Sequence, residues 1–179
     1  QKLPLAQNTL AVDLDGFDAY DRKAQIFAVW SENTKSAGDV YGDFFAILDY
    51  LKQQIAQNED RAVLCTDRET LVSDDRRLKV IPSVEGSRLI ENDLDRLDIL
   101  REHGVRVLTL AWGGECAVCG AYDTDVGLTD FGYKAVERCE ALGILLDVSH
   151  LSEKGFWDLA NVAKKPFIAS HSNAQSICN

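Results

Sequence analysis

Strand-like and helix-like segments alternate through nearly the whole of this 179-residue chain. Apolar runs of strand character are followed by stretches in which apolar residues recur at helical spacing, as in residues 40–55 after the run at 24–30. Such alternation is typical of a parallel sheet whose strands are joined by crossover helices. The expected fold class is therefore α/β, built from repeated βα units.

The boundaries of these units can be placed from the residue types. Capping residues are expected to begin three of the helices, glycines to end two, and two lysines to lie in the last turn of the final helix. Strand character is found at residues 24–30, 79–85, 105–111, 144–148 and 166–169. The expected caps are Asp39, Thr129 and Ser152, the expected stops are Gly104 and Gly143, and the lysines are Lys164 and Lys165.

The length of the chain bears on which parallel fold is formed. A complete (β/α)8 barrel needs at least about 200 residues and typically ~250. We therefore expect a TIM-barrel type fold in a partial form, with about five βα units and without the first and last strands, in a single domain over residues 1–179. An open doubly wound sheet is the alternative that the alternation leaves open. Unpaired edges in an open barrel predict self-association.

Composition excludes several classes of partner. The formal net charge of −10 argues against nucleic acid and anionic membrane surfaces, since both would repel the chain. No stretch approaches the ~18–20 uninterrupted apolar residues of a membrane span. The five cysteines, an odd number in a chain of this size, favour free thiols in a reducing compartment. A cytoplasmic location is expected.

Two of the cysteines, Cys116 and Cys119, form a Cys-x-x-Cys pair. Half of a zinc ribbon and a redox pair are the two functional interpretations of this spacing. However, no second pair follows at ribbon spacing, and no thioredoxin-like context surrounds this one. A structural role is therefore favoured.

Three potential metal ligands each end an apolar, strand-like run. These are Glu85, His150 and His171. In a parallel barrel the C-terminal ends of the strands carry the catalytic groups, and imidazole together with carboxylate is a normal ligand set for zinc. The sequence thus predicts a metal site at these three residues, with Glu85 also acting in catalysis. The remaining histidine, His103, precedes a strand and is expected at the opposite end, in a stabilising role.

This ligand set favours metal-assisted hydrolysis of an amide. A bridging carboxylate with histidine ligands suits a two-metal site, in which a metal-activated hydroxide attacks a polarised carbonyl. Serine catalysis is disfavoured because no Gly-x-Ser-x-Gly elbow occurs. Nucleotide binding is unsupported because neither common phosphate-binding glycine motif is present.

Several motifs, in order and with suitable spacing, resemble the renal or membrane dipeptidase family of zinc peptidases, peptidase family M19. The resemblance covers residues 10–179 and is closest to the bacterial, cytosol-type members. It implies a (β/α)8 barrel with two zinc ions that hydrolyses dipeptides, often with tolerance for a D-residue at the C-terminal position. The matching segments are residues 84–86, 104–110, 127–132, 142–150 and 170–174.

The same resemblance implies roles for individual residues. Glu85 would bridge both metals, and His150 and His171 would complete the protein ligands of one of them. Trp112 stands where animal members carry a substrate-contacting His, and Trp is common there in the bacterial type, so we expect it to form a wall of the substrate pocket.

Parts of the family pattern are not found in the chain. These are the His-x-Asp motif that holds the second metal, the Arg that binds the substrate carboxylate, and a later Asp that handles the proton. The chain is thus interpreted as a central portion of a dipeptidase. A non-catalytic metal-binding fragment or scaffold, and a related TIM-barrel amidohydrolase with another substrate, are the alternatives.

Overall fold

The structure, a computed structural model, describes residues 3–32, 34–174 and 176–177. Helices and strands alternate along it, as the sequence predicts. In chain order the elements are α1 (Leu14–Phe17), β1 (Ala24–Val29), α2 (Ala37–Ala56), β2 (Ala62–Leu64), α3 (Arg68–Val72), β3 (Leu78–Glu85), a 3₁₀ helix (Ser87–Ile90), α4 (Asp95–Glu102), β4 (Val107–Thr109), α5 (Asp130–Leu142), β5 (Leu145–Asp147) and α6 (Glu153–Val162).

The five strands form one parallel sheet. The order is β1-β3-β4-β5, and β2 pairs with β3 beside this path. Strands β2 and β4 bond to the same side of β3, at its two ends: Leu78 N donates to Arg61 O, and Arg106 N donates to Pro82 O. Because each strand is followed by a helix and all pairings are parallel, the α/β class with five βα units is confirmed, in an arrangement consistent with part of a barrel.

Strand lengths differ from the sequence-based expectation. The runs at 24–30 and 79–85 agree with β1 and β3 to within one residue, but those at 105–111 and 144–148 shorten to the three residues of β4 and β5. Leu110 and Ala111 stay buried outside the ladder, at 0% and 3% exposure. The length of an apolar run therefore indicates how many residues are buried, and this number can exceed the number that pair in the sheet.

Two further differences concern which segments form strands. Strand β2 was missed, because only three residues form it. The segment at 166–169 is not a full strand within the described residues; it pairs through one parallel bridge, between Ile168 and Asp147. There Ile168 N donates to Leu146 O at 2.9 Å, and Val148 N donates to Ile168 O at 2.8 Å. This bridge still aligns the following residues with the end of β5.

The helix termini mostly follow the expected caps. Thr129 and Ser152 accept hydrogen bonds from Gly132 N and Gly155 N, both at 2.9 Å, at the starts of α5 and α6. The expectation for α2 was wrong, since Ser36 is its cap and accepts from Asp39 N at 3.2 Å. Asp39 instead lies in the first turn, where a carboxylate suits the helix dipole.

The end of α6 was also misplaced by the sequence analysis. The helix stops at Val162, so Lys164 and Lys165 lie beyond its last turn. Their backbone N–H groups donate to Glu140 Oε1 at 2.7 and 2.9 Å, which ties this segment to α5. The expected stop at Gly143 is confirmed, since it ends α5 in the left-handed conformation with φ 69°.

The hydrophobic core lies between the sheet and the helices. Its larger cluster includes Leu48 of α2, Leu97 of α4, Leu108 of β4 and Leu159 of α6, each with 0% exposure. A smaller cluster joins α1, the end of α2 and the starts of β2 and β3. This packing fixes the strand ends that carry the candidate ligands. Among the described residues, no helix combines the length and apolar composition needed to cross a membrane.

Candidate metal centre

The three predicted ligands lie together at the C-terminal end of the sheet. Glu85 is the last residue of β3, His150 follows β5 by three residues, and His171 follows the bridge at Ile168 by three residues. Since parallel strands point the same way, these ends meet at one edge. One ligand atom from each residue lies within 4.8 Å of the others.

The distances within this group indicate a shared binding point. His150 Nε2 and His171 Nε2 lie 3.2 and 3.5 Å from Glu85 Oε1, and the two imidazole nitrogens are 2.8 Å apart. Two facing nitrogens at this distance need a proton between them, because their lone pairs would otherwise repel. A cation held by all three atoms removes that need. The donor set, two imidazoles and a carboxylate, fits zinc.

The orientation of His171 is fixed by a neighbouring hydroxyl group. Ser170 Oγ donates to Asp147 Oδ2 at 2.5 Å and lies 2.7 Å from His171 Nδ1. Having used its proton on Asp147, the hydroxyl can only accept from Nδ1–H. This tautomer leaves the lone pair of Nε2 directed at Glu85 and His150. Metal-ligating histidines are commonly oriented by such an outer hydrogen bond.

Asp147 forms hydrogen bonds to both segments that carry the candidate histidine ligands. It is 2% exposed and accepts four hydrogen bonds: from Ser149 N at 3.1 Å, Ser170 N at 3.0 Å, Ser170 Oγ at 2.5 Å and Thr109 Oγ1 at 2.9 Å. Burial acts to raise the pKa of Asp147, but these hydrogen bonds outweigh it and hold the pKa below its usual value. The carboxylate therefore stays ionised and ties the end of β5 to the His171 segment.

His150 adopts a backbone conformation that is uncommon for its residue type. Its φ is 66°, in the left-handed region. Its carbonyl oxygen accepts from Tyr122 N at 2.8 Å, which holds the turn in place. Residues held in such regions are concentrated at functional sites, where the surrounding structure maintains them.

Aromatic side chains stand beside the group. The ring centroids of Trp112 and Tyr122 lie 6.2 and 6.1 Å from that of His150, and Trp30 lies 5.1 Å from Trp112. Trp112, predicted as a pocket wall, is 37% exposed. Sequence reasoning missed Trp30 and Tyr122. Trp30 directly follows β1, so the rule that found the ligands at strand ends also points to it.

A cavity of about 590 Å³ runs along one face of the sheet and reaches the candidate site. Most of its polar lining residues lie at or beyond the C-terminal ends of the strands; they are Glu85, Thr109, Asp147, Ser170 and His171. The arrangement places the candidate metal ligands at the mouth of a space large enough for a small substrate.

His103 lies apart from this group, as expected. It is the C-cap residue of α4, and its ring packs edge-on against Phe45 at 5.0 Å between centroids. This position gives it a packing contact and no access to the candidate site, so it serves as a natural control for the two clustered histidines.

Comparison with known proteins decides the family. The model of the membrane dipeptidase family, peptidase family M19, matches residues 3–179. The chain belongs to this family. The expected resemblance is thus confirmed over nearly the whole chain, and with it the TIM-barrel type of the fold.

The chain is also similar to individual proteins. An uncharacterized protein in the pqqA 5′ region of Klebsiella pneumoniae is 32% identical over 151 residues, which is 79% of this chain and 56% of that protein. Dipeptidase 3 of Mus musculus is 34% identical over 114 residues, 58% of this chain and 23% of that protein.

Among solved structures, a metallo peptidase from Rhodobacter sphaeroides, liganded with a phosphinate mimic of the dipeptide L-Ala-D-Ala, superposes with a TM-score of 0.85 at 25% identity. The match covers 96% of this chain and 58% of that one. This M19 chain therefore spans about half the length of the bacterial relatives that it matches.

Proposed function

We propose that this chain carries the metal-binding part of a metallo-dipeptidase site, with Glu85, His150 and His171 as ligands of a zinc ion. The observation that supports this most strongly is the convergence of one Glu85 oxygen and two Nε2 atoms within 4.8 Å, together with the Ser170 contact that directs His171 toward them. Family membership adds the reaction class, hydrolysis of a dipeptide.

The residues have distinct roles in this proposal. When bound, zinc supplies Lewis acidity that polarises a peptide carbonyl and lowers the pKa of water. His150 and His171 fix the position of the ion. Glu85 Oε1 faces both histidines, and within the described part of the chain no hydrogen bond engages Oε2. In a dinuclear centre, which we also propose, that second oxygen would hold the second ion.

The substrate proposed is a dipeptide that lies between the ligand group and the aromatic side chains. The Rhodobacter relative is described with a dipeptide mimic, which sets the class of molecule to test. In this chain the rings of Trp112 and Trp30 face the site from one side and offer apolar contact. A dipeptide with an apolar side chain is therefore the substrate that this surface favours.

A metal-binding scaffold without turnover is the second candidate. In the described ranges, Glu85, His150 and His171 form the one cluster of at least three potential ligands. A dinuclear centre needs further ligands for its second ion. This observation favours a chain that holds a single ion and does not by itself hydrolyse a substrate.

Dipeptide hydrolysis separates the two candidates. L-Ala-L-Ala and L-Ala-D-Ala would each be incubated with the protein, once with added zinc and once with chelator. The proteins compared are the unaltered chain, Glu85→Gln and the control Glu102→Gln, which changes an exposed acid at the end of α4. The expected result is weak zinc-dependent turnover that Glu85→Gln abolishes and Glu102→Gln retains. Turnover in chelator, or in Glu85→Gln, contradicts the proposal, and zinc binding without any turnover supports the scaffold.

A further inference from the structure

The Cys-x-x-Cys pair lies at the tip of a tight hairpin in the loop between β4 and α5. Cys116 N donates to Cys119 O at 2.9 Å, Glu115 pairs with Gly120, and Ala121 N donates to Gly114 O at 2.8 Å. Cys116 and Cys119 are therefore directly opposite each other across a two-residue turn. Facing residues in such a pair have Cα atoms about 5.5 Å apart, inside the range of about 4.4–6.8 Å that a disulfide spans.

The two thiols have different surroundings. Cys119 is fully buried, and its Sγ donates to Leu110 O at 3.2 Å. Cys116 is partly exposed, and its Sγ lies 3.3 Å from Ser87 Oγ and 3.4 Å from Cys119 O. Of the two residues, Cys116 is therefore the one that is partly exposed to solvent, while Cys119 is enclosed.

The acidities of the two thiols follow from these contacts. The nearby Cys119 side chain is the largest influence on Cys116; with the contacts to Ser87 and to the backbone, it outweighs the effect of burial and lowers the pKa of Cys116 to about 6. The side-chain contact with Cys116, and then burial, raise the pKa of Cys119 well above its usual value. Reactive cysteines that sense oxidation are typically accessible, of low pKa and close to a second thiol.

The other described cysteines lack this combination. Cys65 and Cys139 are buried at 3% and 0% exposure, and burial raises the pKa of both, that of Cys139 to about 12. All four described cysteines are free thiols. Cys178 lies outside the described residues. Cys65 and Cys139 are thus expected to react slowly, and they serve as internal standards for the pair.

We propose that Cys116 and Cys119 form a reversible thiol–disulfide pair that exchanges with small-molecule disulfides such as oxidised glutathione. The hairpin geometry supports this, since it places a partly exposed cysteine opposite a buried one at disulfide spacing. The site is separate from the metal ligands, although Ser87, which contacts Cys116, follows Glu85 by two residues.

The exchange proceeds in two steps. The Cys116 thiolate attacks one sulfur of the small disulfide, whose S–S bond breaks and releases one small thiolate. The Cys119 thiol then loses its proton and attacks the Cys116 sulfur, which releases the second small thiolate. Two protein thiols are oxidised, one small disulfide is reduced, and the two protons pass to the released thiols.

Oxidation changes contacts close to the candidate site. The Cys119 S–H bond to Leu110 O is lost, while Ser87 Oγ continues to donate to the same oxygen at 2.6 Å. Leu110 precedes Trp112 by two residues, and the hairpin also leads to Tyr122. Because Trp112 lies close in sequence to this altered contact, we expect oxidation to change the tryptophan fluorescence of the protein.

Mass spectrometry of tryptic peptides tests the proposal. Trypsin places Cys116 and Cys119 together in the peptide 107–134, Cys65 in 62–68 and Cys139 in 139–154. Reduced, folded protein would be incubated with oxidised glutathione at neutral pH, blocked by alkylation and digested. Peptide 107–134 is expected to lose two hydrogen atoms in mass, reversibly with dithiothreitol, while the other two peptides stay reduced.

Two variants assign the order of events. Cys119→Ser is expected to stop at a mixed disulfide between Cys116 and glutathione, and Cys116→Ser to leave peptide 107–134 unmodified. A peptide 107–134 that stays reduced in the folded chain overturns the proposal, as does oxidation of 62–68 and 139–154 at the same rate. This comparison of peptides within the unaltered protein decides the matter even where a variant fails to fold.

Discussion

Ser170 Oγ lies 2.7 Å from His171 Nδ1 and donates a hydrogen bond to the buried Asp147 carboxylate. The ring of His171 is thereby held as the tautomer whose Nε2 lone pair faces Glu85 and His150. A half-exposed histidine at the end of the described sheet is thus oriented by a buried charge, and the candidate centre depends on this support as well as on its three ligands.

Removal of the Ser170 hydroxyl should weaken metal binding. Because His171 then loses the acceptor for its Nδ1–H, we expect Ser170→Ala to reduce zinc affinity by about 10–100-fold. Ser170→Thr keeps a hydroxyl and should restore part of the affinity. Isothermal titration calorimetry with zinc measures both, and Ser73→Ala, which removes the hydroxyl of the half-buried C-cap of α3, is the control. Equal affinity in Ser170→Ala and the unaltered chain contradicts the positioning role.

Replacement of Asp147 should destabilise the fold. In Asp147→Asn an amide group would meet some of the donors of Ser149, Ser170 and Thr109, so we expect a loss of about 1–3 kcal/mol in the free energy of unfolding. Urea denaturation followed by circular dichroism measures it.

The same residue sets a pH dependence. The pKa of Asp147 is lower in the folded chain than its ordinary value, so its stabilising effect is complete above that ordinary value, about 3.9. The effect is lost as the pH falls through the lower folded pKa. The stability difference between the unaltered chain and Asp147→Asn should therefore shrink at acidic pH. A difference that is constant from pH 7 to strongly acidic pH is the contrary result.

The Trp112 ring should contribute to substrate selection. An aromatic contact of this kind is worth about 0.5–1.5 kcal/mol, so Trp112→Ala should lower kcat/KM several-fold for a dipeptide with an apolar side chain, and less for glycylglycine. Steady-state kinetics on an active form of the protein measures this. Trp157→Ala removes an exposed ring on α6 and should change neither value. Parallel losses for both dipeptides would show that Trp112 has no selective contact.

The pH dependence of the alkylation rate of Cys116 should reflect its low pKa. Because the thiolate is the nucleophile, the rate of labelling by iodoacetamide should rise as the pH increases through about 6 and then level off. Cys139, whose pKa is raised to about 12, should stay unlabelled in the folded chain over the same range. Timed labelling with analysis of peptides 107–134 and 139–154 compares the two. A rate that still increases above pH 8 would contradict the low pKa.

Local pattern was sufficient to place the candidate ligands. Glu85, His150 and His171 each end an apolar run, and chain direction in a parallel sheet brings such ends together. Their support was not predictable in this way, because Asp147 and Ser170 meet across 23 residues and only the fold shows that contact. Strand β2 escaped notice for a similar reason, since its three residues gain strand geometry from pairing with β3.

Competition between similar residues explains another difference. Ser36 and Asp39 are both good cap residues, and the helix begins at the earlier one because it then gains an additional turn.

Within the described residues β1 pairs on one side only, so the expected self-association stays a prediction that light scattering tests.

Zinc titration of the histidine variants tests the central claim most directly. Calorimetry would compare the unaltered chain, His150→Ala, His171→Ala and the control His103→Ala, whose ring packs against Phe45 away from the site. We predict that both site variants lose at least tenfold in zinc affinity while His103→Ala binds as the unaltered chain does. Unchanged zinc binding in His150→Ala and His171→Ala would contradict the assignment of this metal centre.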